Sequence, residues 1–447
     1  MDTNIVAIID SLMEKAFQLG VNEIEFYIQK QNSRTAFIES TKLKSATVND
    51  TQGVGIRVII NKALGYASVN SFEKEKIMKG LEKAIDYAKL TSSEENYYLP
   101  TKTSLTKISD LYDPEEQNFG VKECIENAER ILKNCKDYDQ RINIESGLFT
   151  AITLENTILT SNGITAFDKK TGFQIELGGM AADGNTIGSW DEEYNTWVKI
   201  EDIDIEGLVK NFGAKLIQNL KAKKTQPFKG KAVISPSAAR SLFSLIIEST
   251  LASTIHSGAS FLKDKLGEKI ADKKLTIIDN GTLTKSFASS TFDREGIPHK
   301  ECKIFNKGVF QTVLHNAFTA NKDKMKSTGH AYGDYRVLPE ISVTNLEILP
   351  GKNSLEELIS EIREGVLFNR ISASPDPVSG EFAAVLKGGK IIQKGEVKET
   401  VKEITAVGNI FEGIKNIEGI SKEQKNLNYY TSWKLPYIVL DNIQYIT

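Results

Sequence analysis

Histidine and cysteine are scarce in this chain, four and three residues in 447. His256, His299, His315 and His330 form no HxH or HExxH pattern, so the spacing that brings two imidazoles to one metal ion is missing. Cys124 and Cys135 share the face Val121, Cys124, Ile125, Ala128, Ile131, Leu132, Cys135 of one predicted helix. They lie about 16 Å apart along it, which forbids a disulfide between them. Cys302 stands alone in KECKIF, and no CxxC occurs, the usage of buried thiols in a reducing compartment. A GxSxG elbow, a P-loop and a GxGxxG after a strand are absent too. Charge of one sign is also lacking: 56 basic against 59 acidic residues leave a net −3. That excludes the basic stripe of a phosphate-backbone binder and argues against nucleic acid as a partner. The longest basic cluster, KAKK at 221–224, ends a predicted helix, where cations suit the dipole. No run approaches the ~20 apolar residues of a membrane span. The first twenty residues begin acidic and place Ile5, Ile8, Ile9, Leu12, Met13, Ala16 and Phe17 at helical spacing up to Gly20, unlike a signal peptide. A cytoplasmic protein is expected.

The chain is too long for one core, and 40% hydrophobic with 26% charged residues is a globular balance. EIEFYIQ alternates Ile24, Phe26 and Ile28 like a half-buried strand, and strand signals recur at 34–39, 44–49 and 54–61. A second helix follows at 71–90, and a third is expected from Asp113-Pro114, with Asp as cap and Pro in the first turn. Residues 140–200 are rich in hairpin signals, Asn162-Gly163 and Asp183-Gly184 among them. A helix at 204–222 and a linker-like TQPFKGK at 225–231 close this region. The second half is dominated by strands: LTIIDN, KIFNKGVFQTVLHN, ISVTNLEIL, EFAAVLKGGKIIQKGEV around Gly388-Gly389, and PYIVLDNIQYI, with helices at 354–364 and 408–415. The expected fold is α+β in two lobes. Residues 1–225 form an antiparallel sheet with packed helices, and 226–447 form a large, curved, mostly antiparallel sheet with a few helices.

Residues 241–261, SLFSLIIESTLASTIHSGASF, read as a helix buried on most sides. Glu248 and His256 stand about 12 Å apart along it, too far to share a metal ion. Asp293-Arg294-Glu295-Gly296 reads as a solvated hairpin corner. The segment 327–351, STGHAYGDYRVLPEISVTNLEILPG, is harder to explain by packing. It sets His330, Asp334, Tyr335 and Arg336 around Gly329 and Gly333 in a polar loop before a strand, the makings of a substrate or interface site.

GVGIRVIINKALGYASVN, SGASFLKDKLGEKI, FDREGIPHKECKIFNKGVFQTVLHNAFTANK, the 327–351 segment, SPDPVSGEFAAVLKGGKIIQKGEV and GNIFEGIKNIEGI occur in this order along the chain. Together they resemble the TldD/PmbA family, and within it the PmbA-like branch. The resemblance implies a two-lobed fold and a peptidase of paired subunits. In that family the TldD-like subunit binds zinc through an HExxxH helix and a later cysteine, with the glutamate as general base. Here the resemblance sets Ser244 and Leu245 where His-Glu would stand, and Ser249 where the second His would stand. No cysteine follows Cys302. The expected role is a non-catalytic subunit, with no catalytic residue, metal or cofactor of its own, in a dimer (hetero- or homo-) with a zinc-bearing TldD-like partner and acting on peptides or unfolded polypeptides. The alternatives are an active homodimeric metallopeptidase with non-standard ligands, or the modulator of DNA gyrase that an older family label names.

Overall fold

The computed structural model describes residues 3–373, 375–402 and 404–446. The first half runs α1 (Thr3–Gln18), β1 (Glu23–Glu39), β2 (Lys42–Ile60), β3 (Ala63–Val69), α2 (Lys74–Leu90), α3 (Val121–Tyr138), β4 (Ile142–Thr160), β5 (Thr165–Asp183), β6 (Thr186–Ile187), β7 (Asp191–Trp197) and α4 (Ile205–Asn219). All its strand pairings are antiparallel, in the order β3-β2-β1-β4-β5, with β6 and β7 both on β5. Strand alternation decides what each face meets. Ile24, Phe26 and Ile28 bury against α1 and α2. Further along the same strands, Ala36, Ile38, Phe149 and Phe173 bury against α3 and α4. Glu25 and Tyr27 point the other way, toward the second lobe. The signals at 24–28 and 34–39 belong to one strand, and so do those at 44–49 and 54–61. Asp113 caps a short 3-10 turn, Pro114–Asn118, and α3 begins only after Gly120.

The second half starts with β8 (Phe228–Ile234), which occupies most of the expected linker, then α5 (Pro236–Glu248) and α6 (Ala252–His256). Next come β9 (Ile277–Asn280), β10 (Glu301–Asn306), β11 (Val309–Phe310), α7 (Ala317–Lys322), β12 (Ala331–Tyr332), β13 (Glu340–Ile341), β14 (Asn345–Ile348) and α8 (Leu355–Ser360). β15 (Glu364–Phe368), β16 (Arg370–Ser372), β17 (Glu381–Lys387), β18 (Lys390–Gln393), β19 (Glu396–Thr400), β20 (Thr405–Asn409), α9 (Ile410–Lys415), β21 (Ile417–Asn428) and β22 (Ser432–Ile446) complete it. β22 is the spine of a 13-stranded, mostly antiparallel sheet, pairing with β8, β14, β20 and β21. The fold is thus α+β in two lobes, as expected. Gly388-Gly389 is no hairpin turn: β17 pairs with β16 and β20, whereas β18 pairs with β15 and β19. The predicted 241–261 helix is two helices. Ser249 and Thr250 donate their hydroxyls to the Leu245 and Ile247 carbonyls, and the backbone of Thr250 and Ala252 then bonds to Leu314. No helix among the described residues is long and apolar enough to cross a membrane.

Candidate functional site

A cleft of about 970 Å³ opens where the β7 side of the first sheet meets α5 and the second sheet. DEEYNTW supplies its acids. Alternation along β7 turns Asp191 and Glu193 to one side, where both are buried. Buried carboxylates need partners, and both lobes provide them. Lys215 of α4 sets its Nζ 2.5 Å from Glu193 Oε2 and 3.7 Å from Asp191 Oδ1. Lys425 of β21 donates to Glu193 Oε1 at 2.5 Å, and Asn369 donates to Asp191 Oδ2 at 3.1 Å. Burial alone would raise the Glu193 pKa, but the two lysines outweigh it and hold it below the usual carboxylate value. On the other wall, α5 shows the cleft a polar stripe, Ser237, Arg240, Ser241 and Ser244, at helical spacing. Leu242, Phe243 and Ile246 on its opposite face are fully buried. Arg240 donates to the Tyr194 hydroxyl at 2.5 Å and lies 5.8 and 6.0 Å from the Tyr194 and Trp433 rings.

The positions that the resemblance pairs with the family's His-Glu and second His lie on this helix and just past its end. Ser244 is exposed and donates to the Ser241 carbonyl at 2.8 Å. Leu245 is buried in the second lobe's core. Ser249 lies past the last residue of α5, buried, with its hydroxyl 2.8 Å from the Leu245 carbonyl. A leucine is neither ligand nor base, and the two hydroxyls are already spent on backbone. These residues do not fit a zinc ion. Glu248 is exposed, while His256 meets Asp323 at 2.8 Å. Among the described residues no group of three or more His, Cys, Asp or Glu side chains could hold a metal ion.

The 327–351 segment borders a second cleft of about 580 Å³, between β1, β4 and the second lobe. Its four candidate residues divide. His330 is buried, with Nε2 3.2 Å from Asp279 Oδ2 and Nδ1 2.9 Å from Thr328 Oγ1, and does not line the cleft. Tyr335 is buried on Gly53, where a Cβ would collide with its ring, and its carbonyl accepts from the Tyr66 hydroxyl at 2.8 Å. Tyr335 also lines the cleft, as do Asp334 and Arg336, which pair with each other, Arg336 Nε donating to Asp334 Oδ2 at 2.9 Å.

Asp293-Arg294-Glu295 is no solvated corner. All three side chains are buried. Arg294 donates to Glu25 at 2.9 Å and stacks 3.7 Å over the Tyr27 ring. Arg57, paired across the strands with Glu25, donates to Glu25 and, at 2.6 Å, to Glu295. Sequence reasoning missed this network and the carboxylates of the first cleft, because charge was read as exposure. The signals were the acids alternating in DEEYNTW and Lys215 amid the apolar residues of α4.

Two lobes, a cleft between their sheets and a helix along its wall define a two-lobed α+β class of fold. Residues 227–447 match the PmbA/TldA metallopeptidase C-terminal domain, and residues 24–88 match PmbA/TldA metallopeptidase domain 1. The chain belongs to the PmbA/TldD family. It is 26% identical over 411 residues to the metalloprotease PmbA homolog of Buchnera aphidicola, covering 91% of this chain and 89% of that protein. It is 30% identical over 277 residues to a metalloprotease of Methanothermobacter thermautotrophicus, 60% of each chain. The crystal structure of TldE from Thermococcus kodakarensis superposes with a TM-score of 0.91 at 23% identity, over 98% of this chain and all of that one, a likeness of fold.

Proposed function

We propose that this chain is a non-catalytic, PmbA-like subunit that pairs with a TldD-like zinc metallopeptidase and helps to hold its peptide substrate. The observation that carries the reading is α5: it borders a roomy interlobe cleft, yet the family's His-Glu and second His positions hold Ser244, the core residue Leu245 and, just past the helix, Ser249. A peptide-holding role is supported by β2. Residues 42–52 pair with β1 alone among the described residues, whereas β3 takes up only 54–60. An extended chain adds to such an edge through main-chain hydrogen bonds with little demand on sequence. Lys44 and Ser45 of this stretch line the first cleft. A role on nucleic acid has the near-neutral charge against it.

The test uses the purified chain with and without a TldD-like chain carrying HExxxH. Alone, it is expected to hold well under one zinc per molecule and to leave an unstructured peptide intact. Mixed with its partner, it is expected to raise chelator-sensitive cleavage. Stoichiometric zinc with chelator-sensitive cleavage by the chain alone, lost on substitution of one histidine, would mean an active enzyme with non-standard ligands and overturn the proposal.

A further inference from the structure

The charges lining the first cleft are unequally satisfied. Glu39 meets Lys44 at 2.7 Å, Glu193 meets Lys215 and Lys425, and Asp191 is held by Lys215 and Asn369. Among the cations that line the cleft, Arg240 is the exception. It is half-buried, and its partners among the described residues are the Tyr194 hydroxyl and the Tyr194 and Trp433 rings, with no carboxylate. A guanidinium carries five N–H donors in a planar fork that matches a carboxylate. With one donor on a phenol and the others unassigned, a partly desolvated cation of this kind selects an anion.

We propose that the first cleft receives the C-terminal carboxylate of a peptide, with Arg240 as its anchor. The inference rests on the peptide-holding role above and adds what that role leaves open, the end of the peptide that is recognised. Three features favour a peptide terminus over other anions. Ser237 and Ser241 flank Arg240 on the same helical stripe and offer neutral hydroxyls to a carboxylate or to the last peptide carbonyl. Glu176 and Glu192 also line the cleft and have no cation partner among the described residues. They would repel a phosphate or other polyanion, but can accept from the amide N–H groups that accompany a terminal carboxylate. Trp190 and Leu427 add apolar wall for a side chain.

The experiment measures binding of a fluorescein-labelled, alanine-rich peptide to the full chain by anisotropy. The peptide is offered as the free acid, as the C-terminal amide, and as an amide with one internal aspartate. The free acid is expected to bind about tenfold tighter than either amide. Arg240→Gln is expected to weaken only the free acid and erase the difference, and Arg240→Lys to restore part of it. Equal binding of acid and plain amide sinks the anchor while leaving a peptide-holding subunit in place. So does an internal aspartate that replaces the terminal carboxylate, or a preference that survives Arg240→Gln. Binding of no peptide at all sinks the anchor and the peptide-holding role together. Should Arg240→Gln fail to fold, the comparison of acid and amides on the unaltered chain decides.

Discussion

Glu25 has no exposed surface, and its two oxygens face two arginines, Arg57 from its own lobe and Arg294 from the other. Burial raises its pKa, but the two guanidiniums outweigh burial and hold it below the ordinary value. Removing the carboxylate would leave two buried cations with one acid, Glu295, between them. Glu25→Gln is therefore expected to destabilise the fold by about 3–5 kcal/mol in urea unfolding. A change under about half a kcal/mol would mean that water reaches the arginines. Asp293, a few residues away in the fold, titrates in the opposite sense. Burial and the Glu295 carboxylate push it up to about 8. A folded pKa above the unfolded one means that the native chain keeps a proton the unfolded chain has lost. Its contribution is full below the unfolded value near ordinary Asp, and is lost as the pH rises through about 8. Asp293→Asn, neutral at every pH, is expected to flatten the decline of the urea midpoint between about pH 5 and pH 8. An unchanged slope would place the titration elsewhere.

At the scale of the element, α5 shows what a sequence reveals and what it conceals. Its burial was legible because Leu242, Phe243, Leu245 and Ile246 leave little polar surface. The break after Glu248 was not, since it depends on Leu314, which receives the backbone of Thr250 and Ala252 from across the lobe. The same limit applies to β1. Alternation identified Ile24, Phe26 and Ile28 as a core face, and by the same logic put Glu25 in water. Its partner Arg294 lies 269 residues away, beyond the reach of any local pattern. The 327–351 loop was singled out for its polarity, yet packing takes His330 out of the cleft and buries most of Tyr335, which stays at its edge with Asp334 and Arg336. Leu245→Ala or Ile246→Ala is expected to cost about 2–5 kcal/mol through the cavity it opens, read by urea unfolding, with Ser244→Ala near zero. Installing S244H, L245E and S249H together is expected to create neither zinc binding nor cleavage, and to destabilise, because residue 245 points into the core. Stoichiometric zinc in that triple variant would mean that residues 245 and 249 can turn out of the core to meet a metal ion.

For the whole molecule, the question is what makes two lobes, each with its own main cores, behave as one. Each sheet buries its own apolar cluster, and the clusters of the first lobe pack its strands against its own helices. The junction between lobes joins two small apolar clusters, Tyr27, Ile158, Ile164 and Ala166 with Phe292 and Tyr335, and Ile152 and Val198 with Phe287, to a set of polar contacts: Arg294 on Glu25, Arg57 on Glu295, Lys425 on Glu193, Asn369 on Asp191 and the Tyr66 hydroxyl on the Tyr335 carbonyl. The polar contacts couple the lobes through geometry more than through area, since the net worth of each hydrogen bond is small while an orphaned buried charge is costly. Glu295 is central to the coupling. Besides Arg57 it accepts from the Ala317 amide at 2.6 Å, which ties the junction to α7. The unaltered chain is expected to unfold in a single calorimetric transition. Glu295→Ala, which leaves Arg57 and Arg294 to share Glu25 and frees that amide, is expected to split the transition in two, with the lower one reporting the less stable lobe. A single transition merely shifted to lower temperature would mean that the cores, and not the buried ions, carry the coupling. Two transitions in the unaltered chain would mean that the lobes are uncoupled from the start.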